Sequence, residues 1–242
     1  MSLTLQNPSY GMASGPDGAL RIEIAGRPAD LRPSGALWLE ADRALVVADL
    51  HLEKGSAFAA RGQMLPPYDT SDTLGRLERE IGRLSPETVV LLGDTFHDSR
   101  AERRLTSRDT DTLMAMGQRR TLIWVVGNHD TDGPRTLPGK VVDEISLGGL
   151  NLRHEPRTGV SSGEVAGHLH PCAKVAMRGR AVRRRCFVTD GERVVVPAFG
   201  AYAGGLNVLD VAFSSLFVRP PLIGALGQQR THPIAWRTAL GD

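Results

Sequence analysis

Residues 122–130 read LIWVVGNHD, five apolar residues followed directly by a glycine and three polar side chains. A short apolar run that is closed by a turn signal is typical of a strand buried on both faces. The polar group then lies at the carboxyl end of that strand, where open parallel sheets bind their ligands. The stretch therefore predicts an α/β fold with a functional site at one edge of a parallel sheet.

Two earlier apolar runs end in the same way. Residues 45–51 read LVVADLH, and residues 89–94 read VVLLGD. Helical patterns separate the three predicted strands, because apolar residues recur at helical spacing over 74–84 and a second helix is expected over 107–116. The strand-helix-strand-helix-strand order brings the three polar groups to a shared crevice.

After residue 140 the sequence favours short strands with no helical pattern between them. The predicted strands of this half are 141–147, 150–152, 164–166, 174–177 and 193–196, and those that precede residue 45 are 20–24 and 37–39. Together the two halves predict two sheets packed face to face with helices outside. We expect one domain over 1–219 and a C-terminal tail over 220–242, either packed on the domain or partly loose.

Composition restricts the class of protein only loosely. The 242-residue chain is 41% hydrophobic and has a net charge of +2, which suits an anionic substrate without requiring nucleic acid. Two cysteines without CxxC spacing, and no leader features over 1–10, predict a cytoplasmic location. No apolar run approaches the roughly 20 residues of a membrane span, so no membrane association is expected.

The polar blocks have a recurring composition of aspartate, asparagine and histidine. In chain order they are Asp49-x-His51, Gly93-Asp94, Gly127-Asn128-His129-Asp130 and Gly167-His168-x-His170, with His154 between the last two. Chance would produce Gly-His-x-His only ~0.02 times and Gly-Asn-His-Asp ~0.001 times in such a chain. These oxygen and nitrogen donors therefore predict a two-metal centre for hydrolysis of a phosphate ester.

The donors divide into two sets around a shared carboxylate. Two dications repel one another and need an anionic ligand between them, a role that suits Asp94. One ion would take Asp49, His51 and His170, and the other Asn128, His154 and His168. A bridging hydroxide is the expected nucleophile for in-line attack on phosphorus. Manganese is the preferred prediction, although mixed imidazole and carboxylate ligands also suit iron and zinc.

The remaining histidines receive other predictions. His129 is expected to protonate the leaving oxygen or to stabilise charge in the transition state, with Asp130 orienting its ring. A lone histidine such as His154 is usually structural, but its position between two strong blocks favours a ligand role. His97 is expected at the rim without a ligand role, and His232 with no catalytic role.

Basic residues leave two interpretations open. Lys54 and Arg61 follow the first block closely enough to contact the substrate phosphate, as Asn128 would, but they also fit ordinary solvated charges. A basic segment could follow a nucleic-acid backbone or protect a sheet edge, and no aromatic platform for base stacking accompanies it. Its members are Arg178, Arg180, Arg183, Arg184 and Arg185.

The ordered blocks from Asp49 to His170 resemble those of the calcineurin-like metallophosphoesterases. More narrowly, residues 48–54 (ADLHLEK), 93–98 (GDTFHD), 154–156 (HEP) and 167–171 (GHLHP) resemble the ligase-associated DNA damage response endonucleases, the PdeM group. One departure is His97, since many superfamily members carry Gly-Asp-x-x-Asp and the aspartate here is one place later, at Asp98.

The resemblance implies a fold and an activity. The fold would be a four-layer α/β/β/α sandwich of two mixed sheets flanked by helices, with a two-metal centre. The activity would be a manganese-dependent phosphodiesterase or endonuclease acting on DNA in bacterial repair, alongside a DNA ligase and a helicase. Two alternatives remain open: the same centre acting on small nucleotides, cyclic nucleotides or phosphoproteins, and a non-catalytic scaffold of this fold that binds a protein partner.

Overall fold

The strands that the structure describes form two sheets. The structure, a computed structural model, describes residues 12–177 and 179–242, so the expectation for residues 1–10 lies outside the described residues, as does Arg178. The first sheet has eight strands arranged in chain order. They are β1 (Ala13–Ser14), β2 (Leu20–Ile24), β3 (Arg27–Leu31), β4 (Leu37–Leu39), β5 (Ala44–Ala48), β6 (Thr88–Leu92), β7 (Thr121–Val125) and β8 (Lys140–Val142).

The first sheet is mixed. Strands β1 to β5 pair antiparallel, and β5 to β8 pair parallel. Along β5 and β6 the two faces alternate: Val46 and Val90 pack in the core between the sheets, whereas Leu45 and Val89 pack toward the helices. Burial on both faces explains why these strands read as continuous apolar runs.

Helices cover the outer face of the first sheet. They are α1 (Lys54–Ala59), α2 (Asp69–Leu84) and α3 (Ser107–Gln118). The apolar stripe of α2, including Leu74, Leu77 and Ile81, is buried against this face, as Leu113 of α3 is. Helix α2 ends at Ser85 in the left-handed conformation, directly before Pro86, which cannot continue a helix.

The second sheet is also mixed and has nine strands. They are β9 (Glu144–Leu147), β10 (Leu150–Arg153), β11 (Glu164–Ala166), β12 (Cys172–Met177), β13 (Arg180–Thr189), β14 (Arg193–Val195), β15 (Leu222–Leu226), β16 (Thr231–Ala235) and β17 (Ala239–Leu240). The main order is β16-β15-β13-β14-β11-β10-β9, and β12 pairs with both β13 and β17. Pairs β10·β11 and β11·β14 are parallel.

The two sheets pack face to face, which confirms the predicted sandwich of two mixed sheets. Leu152, Val165 and Phe187 of the second sheet share one buried cluster with Val46 and Val90 of the first. On the outer side of the second sheet the covering layer is thinner. There a 3-10 helix, Val211–Phe213, and the residues after it pack on the sheet in place of an α-helix.

The strands differ from the sequence prediction at three places. The single strand predicted over 141–147 is divided at residue 143, so that β8 joins the first sheet and β9 the second. Strand β3 was not among the predicted strands; it contains Pro28, which pairs with Glu23 of β2. The segment 220–242 contributes β15, β16 and β17 to the second sheet.

Among the described residues, no helix combines the length and apolar character that crossing a membrane requires.

Candidate metal centre

Loops from both sheets meet at one edge of the sandwich. In the first sheet, polar residues follow the carboxyl ends of β5, β6 and β7; in the second, they follow β10 and β11. All five of these strands run in parallel pairs, so within each sheet their carboxyl ends point the same way. The residues predicted from the sequence as metal ligands are thereby brought together.

The first predicted set surrounds the Asp49 carboxylate. His170 Nε2 lies 3.3 Å from Asp49 Oδ1, and 3.3 Å from His51 Nε2. Asp49 is fully buried, and its carboxylate also accepts the backbone N–H of His168 at 3.0 Å. Asp49, His51 and His170 thus present one ligand atom each within 4.8 Å of the others.

The second predicted set is equally close. His154 Nε2 lies 2.9 Å from Asn128 Oδ1 and 3.1 Å from His168 Nδ1. His154 is buried, follows β10 of the second sheet and contacts Asn128 in the loop after β7 of the first. The lone histidine is therefore part of the cluster.

Asp94 lies between the two sets. Its Oδ2 is 3.5 Å from His154 Nε2 and 3.9 Å from His51 Nε2. Its other oxygen, Oδ1, accepts the backbone N–H of His129 at 2.9 Å, which fixes the carboxylate. One carboxylate oxygen is therefore within reach of donors from both groups, as a ligand shared by two cations must be.

The chemistry of the donors fits divalent cations. His51 Nε2 and His170 Nε2 lie 3.3 Å apart. At this distance only one of the two nitrogens can carry a proton, and the other must offer a lone pair. Burial, reinforced by neighbouring His170 and His129, lowers the pKa of His51 to about 2. Burial also lowers the pKa of His168. Both rings are held neutral, the state in which imidazole binds metal.

Backbone strain is concentrated at these residues. Five of the seven predicted ligands have positive φ angles, an unusual conformation for residues with a Cβ. They are Asp49 (53°), His51 (46°), Asp94 (43°), His168 (67°) and His170 (46°). Strain of this kind persists where surrounding structure enforces it and is common at functional sites.

Two glycines allow the donors to approach so closely. A Cβ on Gly93, whose φ is +74°, would lie 1.9 Å from His154 Nδ1. A Cβ on Gly127 would lie 2.1 Å from Asp94 Oδ1. The glycines of the Gly-Asp and Gly-Asn-His blocks are therefore required by the packing of the site itself.

His129 lies at the rim with its ring oriented differently from the prediction. Its Nδ1 is 3.0 Å from the backbone oxygen of His97, to which it donates, and its Nε2 is 4.0 Å from Asp94 Oδ2. The prediction that Asp130 orients this ring is wrong. The Asp130 carboxylate instead accepts the backbone N–H groups of Gly127 and Phe96, each at 3.0 Å, and so ties together the two loops. Burial raises the pKa of Asp130 to about 6.

His97 is a rim residue that contacts the other rings. Its ring stacks at 5.7 Å from that of His129 and lies edge-on at 5.9 Å from that of His51. Burial, reinforced by Lys54, lowers the pKa of His97. Asp98, the displaced aspartate, forms a bidentate ion pair with Arg104 at 2.9 and 3.1 Å.

The basic residues near the first block are placed as follows. Lys54, at the start of α1, donates to the carbonyl oxygen of Tyr202 at 3.0 Å. Arg61 lies exposed in the turn after α1. His232 lies exposed on β16.

Glu53 is a buried residue that the sequence prediction did not single out. Its φ is 66°, and its carboxylate accepts the hydroxyls of Thr70 at 2.9 Å and Ser56 at 2.5 Å. These bonds join the turn after His51 to the starts of α1 and α2. The left-handed conformation of Glu53 depends on tertiary packing and has no signature in the sequence.

The geometry of the site defines a class of protein. The family model of the calcineurin-like phosphoesterases matches residues 43–175, which is more than half of the chain. The chain therefore belongs to the calcineurin-like phosphoesterase family and is a metal-dependent hydrolase of phosphate esters.

Among solved structures, the chain is similar to the Pseudomonas putida nuclease MPE. The two share 30% sequence identity with a TM-score of 0.70, over 89% of this chain and 100% of that chain. This likeness agrees with the narrower resemblance to the DNA damage response endonucleases. The E. coli phosphoesterase Yfce matches at 14% identity and a TM-score of 0.40, over 79% of this chain and 98% of that chain. No protein with a curated description matches the chain.

Proposed function

We propose that this protein is a two-metal phosphodiesterase that cleaves DNA in bacterial DNA repair. The position of Asp94 carries the proposal, because its Oδ2 lies 3.5 Å from His154 Nε2 and 3.9 Å from His51 Nε2. A hydrolase with a carboxylate between two groups of donors is suited to binding two cations at once. The similarity to a nuclease supports nucleic acid as the substrate class.

The ligands follow from the two sets described above. Asp49, His51 and His170 would hold one ion, Asn128, His154 and His168 the other, and Asp94 would bind both. Manganese is the proposed metal, since mixed carboxylate, amide and imidazole donors suit it. Two divalent ions, when bound, lower the pKa of coordinated water and polarise phosphoryl oxygens.

The protein's own groups prepare this chemistry. The buried carboxylates of Asp49 and Asp94 supply negative charge at the centre, and backbone N–H groups fix both of them. The His97 carbonyl oxygen accepts a hydrogen bond from His129 Nδ1–H, which leaves Nε2 as the nitrogen facing the site. His129 is therefore placed to donate a proton to the leaving oxygen when it is protonated.

Replacement of Asp94 by asparagine tests the mechanism. The amide keeps the size of the side chain but removes the negative charge between the two ions, so hydrolysis of an aryl phosphodiester and of DNA with manganese should fall by at least ~10³-fold. Folding is checked by circular dichroism, and metal content by elemental analysis. A folded variant that cleaves either substrate at the normal rate contradicts the proposal.

The substrate class is tested separately. Purified protein loaded with manganese is given a DNA oligonucleotide, a cyclic nucleotide and a phosphopeptide under one condition. Preferential cleavage of DNA is expected. Turnover confined to the cyclic nucleotide or the phosphopeptide would leave the family assignment in place and reject DNA as the substrate. Association with a DNA ligase and a helicase, supported by the family resemblance, is examined by co-purification from a bacterial host.

A further inference from the structure

The hairpin of β12 and β13 concentrates positive charge. Residues 172–186 contain six lysine and arginine residues and no aspartate or glutamate. The net charge of the whole chain is only +2, so the chain outside this segment is net negative. A short element carrying one sign of charge creates a local positive potential. We call its described cations the basic hairpin: Lys174, Arg180, Arg183, Arg184 and Arg185.

The basic hairpin lies beside the site. Arg183 donates to the carbonyl oxygen of Gly205 at 2.7 Å, and the backbone of Gly205 is so close to His170 that an added Cβ would be 2.1 Å from the His170 oxygen. Arg185 donates to the carbonyl oxygen of Gly200 at 3.0 Å, and Gly200 N–H donates to the backbone carbonyl oxygen of Asp49 at 3.1 Å. Side chains of the hairpin thus reach backbone that contacts two of the predicted ligands.

Much of this charge is open to an external anion. Arg180 and Arg184 are exposed, and within residues 12–177 and 179–242 neither forms an ion pair. Among the described residues, the one ion pair of Arg183 is with the exposed Asp242, at 3.6 Å. An ion pair of this kind at the surface contributes little free energy and is readily exchanged for a phosphate.

Edge protection does not account for the whole pattern. Charged residues are useful on an unpaired sheet edge. Strand β12 is paired on both sides, with β13 across its length and with β17 at Lys174 and Val175. Lys174 therefore protects no unpaired edge. It lies directly opposite Arg183, so these two cations are on the same face of the hairpin.

Building on the proposed function, we infer that the basic hairpin binds the backbone of a DNA strand beyond the scissile phosphate. Its cations would contact phosphates on the His170 side of the site. A substrate that consists of one phosphodiester and two aryl groups does not extend that far. The hairpin would therefore contribute to cleavage of DNA and not to cleavage of a small ester.

A charge-matched pair of double variants tests the inference. In R180A/R184A two cations of the hairpin are removed without altering the bonds from Arg183 and Arg185 to the backbone. In the control, R83A/R119A, two exposed arginines are removed from the ends of α2 and α3, where these helices lead into the amino ends of β6 and β7, opposite the site. Both variants lose the same charge.

Binding is measured by fluorescence anisotropy of a labelled DNA oligonucleotide in EDTA, so that no cleavage occurs. The hairpin variant should bind about tenfold more weakly than wild type at low salt, and the slope of log Kd against log salt should fall by about 1 to 2. With manganese, kcat/KM on DNA should fall in proportion, while hydrolysis of bis(p-nitrophenyl) phosphate stays at the wild-type rate. The control should behave as wild type in all three assays.

The outcomes separate this inference from the proposed function. If the hairpin variant and the control bind DNA with the same Kd and salt slope, the inference is overturned, whatever the enzyme cleaves. Wild-type protein that hydrolyses the aryl ester but never cuts DNA contradicts the proposed function. In that case the anisotropy measurements still decide whether the hairpin binds DNA.

Discussion

Replacement of His129 can distinguish an effect on catalysis from an effect on metal binding. It lies outside the two predicted ligand sets, and its ring is held by the His97 carbonyl rather than by a charged side chain. His129→Ala should therefore leave the content of metal unchanged while kcat falls by about 10² to 10⁴. The loss should be smaller for a p-nitrophenolate leaving group than for the alkoxide of a DNA strand, because phenolate leaves without a proton.

The measurement compares kcat on both substrates with metal content from elemental analysis. A variant that loses metal together with activity would show that His129 binds an ion. Equal losses on the two substrates would show that it stabilises charge in another way. Either result contradicts the role as proton donor proposed here.

At the scale of single residues, the sequence predicts chemistry better than orientation. The donors of the blocks could be identified because they follow apolar strands in order, and the structure brings them together. What Asp130 contacts could not be predicted, since its neighbour His129 is the obvious partner in the chain. One partner, the N–H of Gly127, lies three residues earlier in the same loop, but the other, the N–H of Phe96, becomes available only when β6 and β7 are side by side.

At the scale of elements, a buried ion pair holds the connection that begins at His154. Arg193 on β14 and Glu164 on β11 are directly paired in register and fully buried, with Arg193 Nη1 3.3 Å from Glu164 Oε2. Arg193 also donates to the carbonyl oxygens of Arg157 and Gly159 in the loop between β10 and β11. This arrangement fixes the loop that leaves the site.

Arg193→Met should lower the free energy of unfolding by about 3 kcal/mol, because it removes one of the two cations that pair with the buried Glu164 carboxylate and leaves Arg153, at 3.4 Å, as its ion-pair partner among the described residues. Arg157→Met is the control, since its exposed ion pair with Glu144 should be worth less than ~1 kcal/mol. Urea unfolding gives both values. The double variant Glu164→Gln with Arg193→Met should lose less than the sum of the single losses. Strict additivity would show that the two residues act independently.

Helices and strands with a clear local pattern of apolar residues could be predicted from the sequence. Strands whose position depends on the neighbouring strand with which they pair could not. The buried strands β5, β6 and β7 and helix α2 follow from apolar runs and helical spacing. The strand predicted over 141–147 extends over two sheets, because β8 pairs with β7 and β9 pairs with β10. No local feature of the sequence at residue 143 predicts that the chain passes there from the first sheet to the second. Strands β15 and β16 were missed because glycine and proline lie within them, at Gly224 and Pro233.

At the scale of the molecule, the site joins the two sheets. Asp49, His51, Asp94 and Asn128 follow strands of the first sheet, whereas His154, His168 and His170 follow strands of the second. Each predicted ligand set draws on both sheets, so bound cations would act as cross-links between them. Cations that bind only the folded chain stabilise it according to their concentration and affinity.

Removal of metal should therefore destabilise the whole fold. At free manganese of 1,000 times Kd, binding at one site contributes about 4 kcal/mol, which for a chain of this length corresponds to a Tm about 10 °C higher than in EDTA. Thermal unfolding followed by circular dichroism in EDTA and in manganese measures the difference. Asp94→Asn should show a much smaller response to manganese, because its charge no longer links the two sets of ligands. A Tm that is the same in EDTA and in manganese, in protein shown by elemental analysis to bind the metal, would mean that the bound ions do not link the two sheets at this edge.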